Sequence, residues 1–319
     1  MLFGGTFFDV SKRSLFSFAT MNYKEQLNLL IKNALEEDIG DGDHSTLSCI
    51  DTDANSKAIL KIKEQGILAG MDVAEAIFKY VEPYAVFSAY KKDGDKMQFG
   101  EIAFEVQAKV HTILTCERLV LNCMQRMCGI AALTHTYVEK LKGYNTKLLD
   151  TRKTTPNFRL LEKEAVRIGG GTNHRFGLYD MIMLKDNHID YCGGIESAIE
   201  KANAYLQQKN FPIAIGMKIE IETRSIEDVK TVLRVGKVNR IMLDNFTPQQ
   251  IIEALQLING KFETEASGGI NLDNITEYAA TGVDYISSGA IIHQAKSVDL
   301  SLKAQIFNYR ETANVKRQT

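Results

Sequence analysis

The 319-residue sequence contains no apolar run near the roughly 20 residues that a membrane-crossing helix needs. It has no excess of either charge. Against 38 Lys and Arg stand 40 Asp and Glu, a formal net charge of −2. A broad basic surface for nucleic acid or membrane is therefore not expected. The five cysteines, Cys49, Cys116, Cys123, Cys128 and Cys192, are odd in number and lack the paired spacing of zinc sites. Free thiols in a reducing cytosol, and so a cytoplasmic location, are the expectation. There is no Gly-x-Ser-x-Gly, no Cys–His pairing signal and no dinucleotide fingerprint. Residues 1–22 lack the long apolar core and cleavage site of a secretory signal. With only Lys12 and Arg13 as basic residues, they make a weak transit peptide. They are read as an extension, an upstream start or a disordered arm, and carry no function here.

What is present divides into two grammars. The length allows one large or two moderate domains. Tyr23–Glu37 has helical periodicity, and the acidic run Asp38–Asp43 ends it. That run lacks the bidentate Glu of a calcium loop. Residues 57–110 read as an α+β segment. Strands are expected at 58–62, 66–70, 85–90 and 102–106, with a helix over 71–81. A long helix follows over 114–141. Arg118, Asn122 and Arg126 recur on it at intervals of four and share a stripe. An Arg on an otherwise apolar helix either snorkels at the surface or meets an anion.

From Lys147 onward, strand, polar loop and helix repeat. Strands are expected near 147–150, 181–184, 218–222, 240–244, 262–266 and 284–287. Pro156 is expected at the first position of the first intervening helix, with Gly169 past its end. Later helices are expected over 193–206, 225–235, 247–258 and 271–280, with Thr247 and Pro248 as N-cap and first residue. Such repetition predicts a parallel sheet, closed or partly closed into a barrel.

Chemistry gathers at the strand ends. Asp150-Thr151-Arg152-Lys153-Thr154-Thr155-Pro156, Gly169-Gly170-Gly171-Thr172-Asn173-His174-Arg175 and Leu184-Lys185-Asp186-Asn187-His188 deliver cations where α/β proteins place their sites. In a near-neutral chain this is a local pocket for a small polyanion. Strand alternation puts Lys218, Glu220 and Glu222 on one side, and Asp244 ends the next strand. Glu220 and Asp244 either hold Mg²⁺ through waters or pair with nearby lysines. Ser267-Gly268-Gly269 and Ser288-Gly289-Ala290 each lie between a strand and a helix. Their small residues expose amides to phosphate. A Schiff-base lysine would leave the arginines and the paired acids without a role.

These blocks together resemble the quinolinate phosphoribosyltransferases, also called nicotinate-nucleotide pyrophosphorylases (carboxylating). The resemblance runs from about Leu27 to about Ser301. It also rests on Glu117-Arg118, Gln125-Arg126, Gly129-Ile130-Ala131, Leu243-Asp244-Asn245 and Glu265–Ile270. It implies an α/β fold of type II phosphoribosyltransferase architecture. An N-terminal α/β sandwich (23–131, completed by 292–319) would join an open (β/α)6 barrel (132–291). It implies transfer of a 5-phosphoribosyl group from phosphoribosyl pyrophosphate to quinolinate with decarboxylation, and Mg²⁺ as cofactor. It further implies a homodimer with a shared active site, and is compatible with a hexamer. Arg118 would reach the neighbouring subunit's quinolinate. Thr151, Arg152, Lys153, His174, Arg175 and Lys185 would hold the dicarboxylate. Lys153, Lys185, Glu220 and Asp244 would be catalytic, the two acids facing the ribose and Mg²⁺. Ser267, Gly268, Gly269, Ser288, Gly289 and Ala290 would bind the 5-phosphate.

Overall fold

The structure, a computed structural model, describes residues 21–208 and 216–305. Almost all of the 1–22 extension, and residues 306–319 of the expected sandwich, lie outside the described residues.

The N-terminal part runs α1 (Tyr23–Ile39), α2 (His44–Cys49), β1 (Asn55–Ile62), β2 (Gly66–Ile67), α3 (Met71–Val81), β3 (Val86–Ala89), β4 (Lys96–Met97) and β5 (Ile102–Lys109). Asn22 and Glu25 form a reciprocal capping box that starts α1, and Leu27, Ile31 and Leu35 bury one stripe of it. The last residue of the acidic run serves as a helix cap. Asp43 accepts from the Thr46 amide at 3.1 Å and starts the unexpected α2. The strand expected over 66–70 shrinks to two residues, paired with the short β4. β1, β5 and β3 form an antiparallel sheet, and the last described strand, β12 (Leu300–Gln305), returns to pair with β1. Phe78 of α3 packs on Phe87 and Phe104 of this sheet.

α4 (Val110–Lys140) is a 31-residue helix that carries the chain through the expected boundary at 131/132 without a linker. The barrel follows as β6 (Lys147–Leu149), α5 (Arg159–Ile168), β7 (Ile182–Leu184), α6 (Asp186–Cys192), α7 (Ile195–Gln208), β8 (Ile219–Thr223), α8 (Ile226–Val235), β9 (Arg240–Asp244), α9 (Pro248–Ile258), β10 (Glu263–Ser267), α10 (Ile275–Ala279), β11 (Tyr285–Ser287) and α11 (Ala290–His293). Its six strands are parallel, in the order β6-β11-β10-β9-β8-β7. β6 and β7 are the two ends, so the barrel is open between them. Every expected strand is present to within about two residues. Three helix starts in the barrel differ, α10 beginning at Ile275 rather than at 271. Pro156 precedes α5, which begins at Arg159, because the loop must first return over the strand end. Gly193, expected to open a helix, instead ends α6 in the left-handed conformation.

Candidate active site

The gap between β6 and β7 shapes the site. The 169–175 loop enters it, and Thr172 exchanges backbone hydrogen bonds with Leu148 and Asp150 of the open edge. An edge that would otherwise expose unpaired groups is thereby covered. The same insertion carries His174 and Arg175 to the C-terminal mouth, beside the loop that follows β6. Thr151, Arg152, Lys153, His174, Arg175 and Lys185 all line one cavity of about 830 Å³ there. Asp244, Ser267, Gly268, Gly269, Ser288, Gly289 and Ala290 line it as well.

The cationic wall is under internal stress. Burial and the charge of Arg152 both push Arg175 below its ordinary value. Lys153 forms no ion pair among the described residues. Lys185 is engaged by Glu222 at 3.1 Å, and Glu222 also accepts from the Asp186 amide. An unliganded cluster of this kind calls for anions.

Glu220 does not reach the cavity, which corrects the expectation that it faces ribose and Mg²⁺. Alternation gave its side of the strand but not its depth. Glu222, one pleat nearer the C-terminal end, lines the cavity instead. Glu220 lies fully buried beneath with Arg240, against His174 and Glu265, which also line the cavity. The His174 Nε2 atom is 3.0 Å from Glu220 and 3.2 Å from Glu265. Arg240 is 3.1 Å from Glu265 and 3.7 Å from Glu220, and stacks over Tyr285 at 4.1 Å. Two acids and two bases thus close a nearly neutral ionic column inside the barrel. A metal ion among His174, Glu220 and Glu265 would have Arg240 against it.

Burial alone would depress His174, but hydrogen bonds and charge from the two glutamates lift it to about 9. The Arg175 amide, 2.6 Å from Nδ1, suits the neutral ring instead. Two ionic acceptors outweigh one amide donor, so the ring is held toward its cationic form. Burial and the neighbouring Glu265 raise Glu220. The proton belongs to the cluster rather than to one residue.

After β10 and β11 the backbone is prepared for an anion. The amides of Gly268, Gly269, Gly289 and Ala290 donate no hydrogen bond among the described residues. A β-carbon on Gly268 would lie 2.2 Å from the Asn245 side chain, and one on Gly289 would lie 2.9 Å from Lys153. Gly268, which also has a φ of 93° and meets the Asn245 backbone, admits only glycine, whereas at Gly289 the flexible Lys153 stem would have to move. Ser288 uses its hydroxyl on the Ile270 carbonyl, 3.1 Å away. Asp244 is met by the Asn245 amide at 2.6 Å and has no cation on it among the described residues.

Arg118 lies exposed on α4, outside its own chain's cavity. Arg126, on the same stripe, finds an anion in its own chain, Glu162, at 2.9 Å. The sequence reading did not single out Asn271, His293 or Gln294, which also line the cavity. Asn271 and His293 stand outside the strand-end pattern, so periodicity held no signal for them.

An open parallel barrel with a cationic wall facing free amides defines an enzyme that brings two small polyanions together. The description "Quinolinate phosphoribosyl transferase, C-terminal domain" matches residues 130–303, and the corresponding N-terminal domain matches residues 43–128. The chain is 44% identical over 289 residues to quinolinate phosphoribosyltransferase (decarboxylating) 1b of Nicotiana tabacum, covering 86% of this chain and 81% of that one. It is 40% identical to a probable nicotinate-nucleotide pyrophosphorylase (carboxylating) of Bacillus subtilis, covering 89% of this chain and 95% of that one. The crystal structure of NadC from Streptococcus pyogenes superposes with a TM-score of 0.81 at 41% identity, over 89% of this chain and 98% of that one. The chain belongs to the quinolinate phosphoribosyltransferase family.

Proposed function

We propose that the cavity joins quinolinate to the ribose of phosphoribosyl pyrophosphate. The products are nicotinate mononucleotide, pyrophosphate and CO₂, a step of NAD biosynthesis. The observation that carries this reading is the single cavity in which Arg152, His174 and Arg175 face the free amides of Gly268, Gly269, Gly289 and Ala290.

Arg152, Arg175 and His174, with Thr151, hold the two carboxylates of quinolinate. Lys153 and Lys185 stand between the substrates. The ring nitrogen attacks the ribose C1 and the pyrophosphate C–O bond breaks. Positive charge builds on the ribose, and Asp244 and Glu222 stabilise it. Asp244 and Glu222, carboxylates that line the cavity, would hold Mg²⁺ as hard oxygen donors, and the ion would supply charge neutralisation for the pyrophosphate. Glu220 supports His174 from below. As the C2 carboxylate then leaves as CO₂, the electron pair of the broken bond stays on C2, stabilised by the adjacent quaternised nitrogen, and takes up a proton. Arg118 is supplied by the second subunit of a homodimer. Free cysteines, three of them buried, are consistent with the reducing cytoplasm proposed for it. No helix among the described residues is long and apolar enough to cross a membrane.

CO₂ release from carboxyl-labelled quinolinate, dependent on the phosphoribosyl donor, tests the reaction, and its absence refutes it. Full activity in excess chelator would remove Mg²⁺. Arg152→Ala and Arg175→Ala should each weaken quinolinate about 10- to 150-fold, the worth of a charge-assisted hydrogen bond, with little effect on the donor. Unchanged calorimetric affinity in both variants removes the dicarboxylate assignment.

A further inference from the structure

The four cations of the dicarboxylate wall sit on two loops whose backbones bond to each other at Thr172, below the cations themselves. Arg152 and Arg175 carry like charges in one cavity, and burial first, then the charge of Arg152, holds Arg175 below its ordinary value. One face of α5 reaches both loops. Arg159, Glu162 and Lys163 stand at i, i+3 and i+4, so they share that face. None of them lines the cavity.

Each reaches a different point of the loops. Lys163 donates to Asp150 at 2.5 Å and to the His174 carbonyl at 3.1 Å, while the His174 amide donates to the same Asp150 oxygen at 2.8 Å. Glu162 accepts from the Thr155 amide at 2.8 Å and from its hydroxyl at 2.9 Å. Arg159 donates to the Thr154 hydroxyl and to the Phe176 carbonyl, both at 2.9 Å. Arg152 and Lys153 therefore lie between fixed points at Asp150 and Thr154. His174 and Arg175 lie between fixed points at the His174 backbone and Phe176. Lys163 and Arg159 each hold both loops at once. Glu162 and Lys163 are almost wholly buried, and a buried charge is tolerated only when it is paired and hydrogen-bonded. Simple packing would be served more cheaply by apolar side chains there.

We infer that Arg159, Glu162 and Lys163 are positioning residues that set the distance between the Arg152–Lys153 and His174–Arg175 loops and thereby the affinity for the dicarboxylate. Cations held at a fixed spacing need no rearrangement when the ligand arrives, and that saving appears as binding. The inference rests on the assignment of the cationic wall to quinolinate.

The test compares Arg159→Met, Thr154→Val, Thr154→Ser and Arg152→Ala by calorimetric titration with quinolinate and by steady-state kinetics. Arg159→Met removes both of its loop contacts and should weaken quinolinate about 10-fold, with the KM for the phosphoribosyl donor within about twofold of wild type. Thr154→Val removes one contact from a partly exposed position that does not threaten folding, and should weaken quinolinate about 3-fold. Thr154→Ser keeps the hydroxyl and should bind as wild type does. A merely structural role would lower the unfolding temperature and leave the quinolinate affinity of the folded protein unchanged. That result in Arg159→Met and Thr154→Val, with Arg152→Ala impaired, overturns the positioning inference alone. Unimpaired Arg152→Ala overturns the dicarboxylate assignment and this inference with it.

Discussion

His174 stands where the cavity meets the buried charges of the barrel, and its proton links binding to stability. Glu220 of β8 and Glu265 of β10 face its Nε2 atom, Arg240 of β9 lies behind them, and Asp150 and Lys163 hold its backbone. Its folded value of about 9 lies above the ordinary 6.5. The ring therefore stabilises the fold fully below about pH 6.5 and loses that contribution as pH rises through about 9. Glu220 is also raised, to about 7, so it acts with the same sign but over the lower window from about pH 4.5 to 7, and the loss above pH 6.5 is mainly that of His174. Wild-type protein without ligands should lose on the order of 1–3 kcal/mol between pH 6.5 and 9.5 from this cluster. The curve for His174→Gln should be flatter over that window. Urea unfolding at a series of pH values measures both, and equal slopes would refute the account. The same cluster marks the limit of the sequence reading at this scale. The alternation of Lys218-Ile219-Glu220-Ile221-Glu222 fixes which side each Glu takes, but depth within the barrel depends on strand tilt and stagger between neighbours. Glu220, expected at the mouth, therefore pairs with His174 below it, while Glu222 takes the cavity.

Among the elements, α4 joins the two sheets, and its packing depends on one missing side chain. A β-carbon on Gly129 would stand 1.9 Å from the Lys296 carbonyl oxygen, in the segment between α11 and β12. One turn earlier, Arg126 donates to the carbonyls of Ile292 and Ala295 and to Glu162 of α5. Gly129→Ala gains helix propensity worth about 1 kcal/mol. The clash with backbone should cost more, about 1–3 kcal/mol of overpacking strain, and should also pull Ile292 and Ala295 off Arg126. The expected outcome is a lower unfolding temperature by scanning calorimetry and weaker donor affinity, since Gly289 and Ala290 adjoin the displaced segment. A higher unfolding temperature would contradict this packing. Elements of this length were legible because a four-turn stripe or a buried apolar strand repeats enough to be read. α2 and α6 were not, since six or seven residues give too few repeats. Thr247 was readable as a cap because its side chain acts within its own first turn, where Gln250 completes the box. Pro156 misled because a short turn separates it from α5, and Thr155 there bonds forward to Glu162, seven residues on and already within the helix.

At the scale of the whole molecule, the placement of Arg118 is the fact that the single chain leaves unused. It lies on α4 two turns before Arg126, exposed, while every other expected cation lines the chain's own cavity. Arg126 found its anion within the chain, so the stripe as a whole is not simply a solvated face. The proposed homodimer gives Arg118 its role by placing it at the partner's quinolinate. If so, an active site needs Arg118 from one subunit and Lys153 from the other. Arg118→Ala and Lys153→Ala should each be inactive alone, and mixing them should restore activity. In a mixed dimer related by a two-fold axis, one site receives both defects and the other receives neither. Random exchange makes half the dimers mixed, so about one quarter of all sites become wild type on two-fold statistics. Activity should rise toward that fraction with the rate of subunit exchange, followed in parallel by a label on one parent. If labelled subunits exchange and the mixture stays as inactive as its parents, Arg118 serves its own chain and the shared site is wrong.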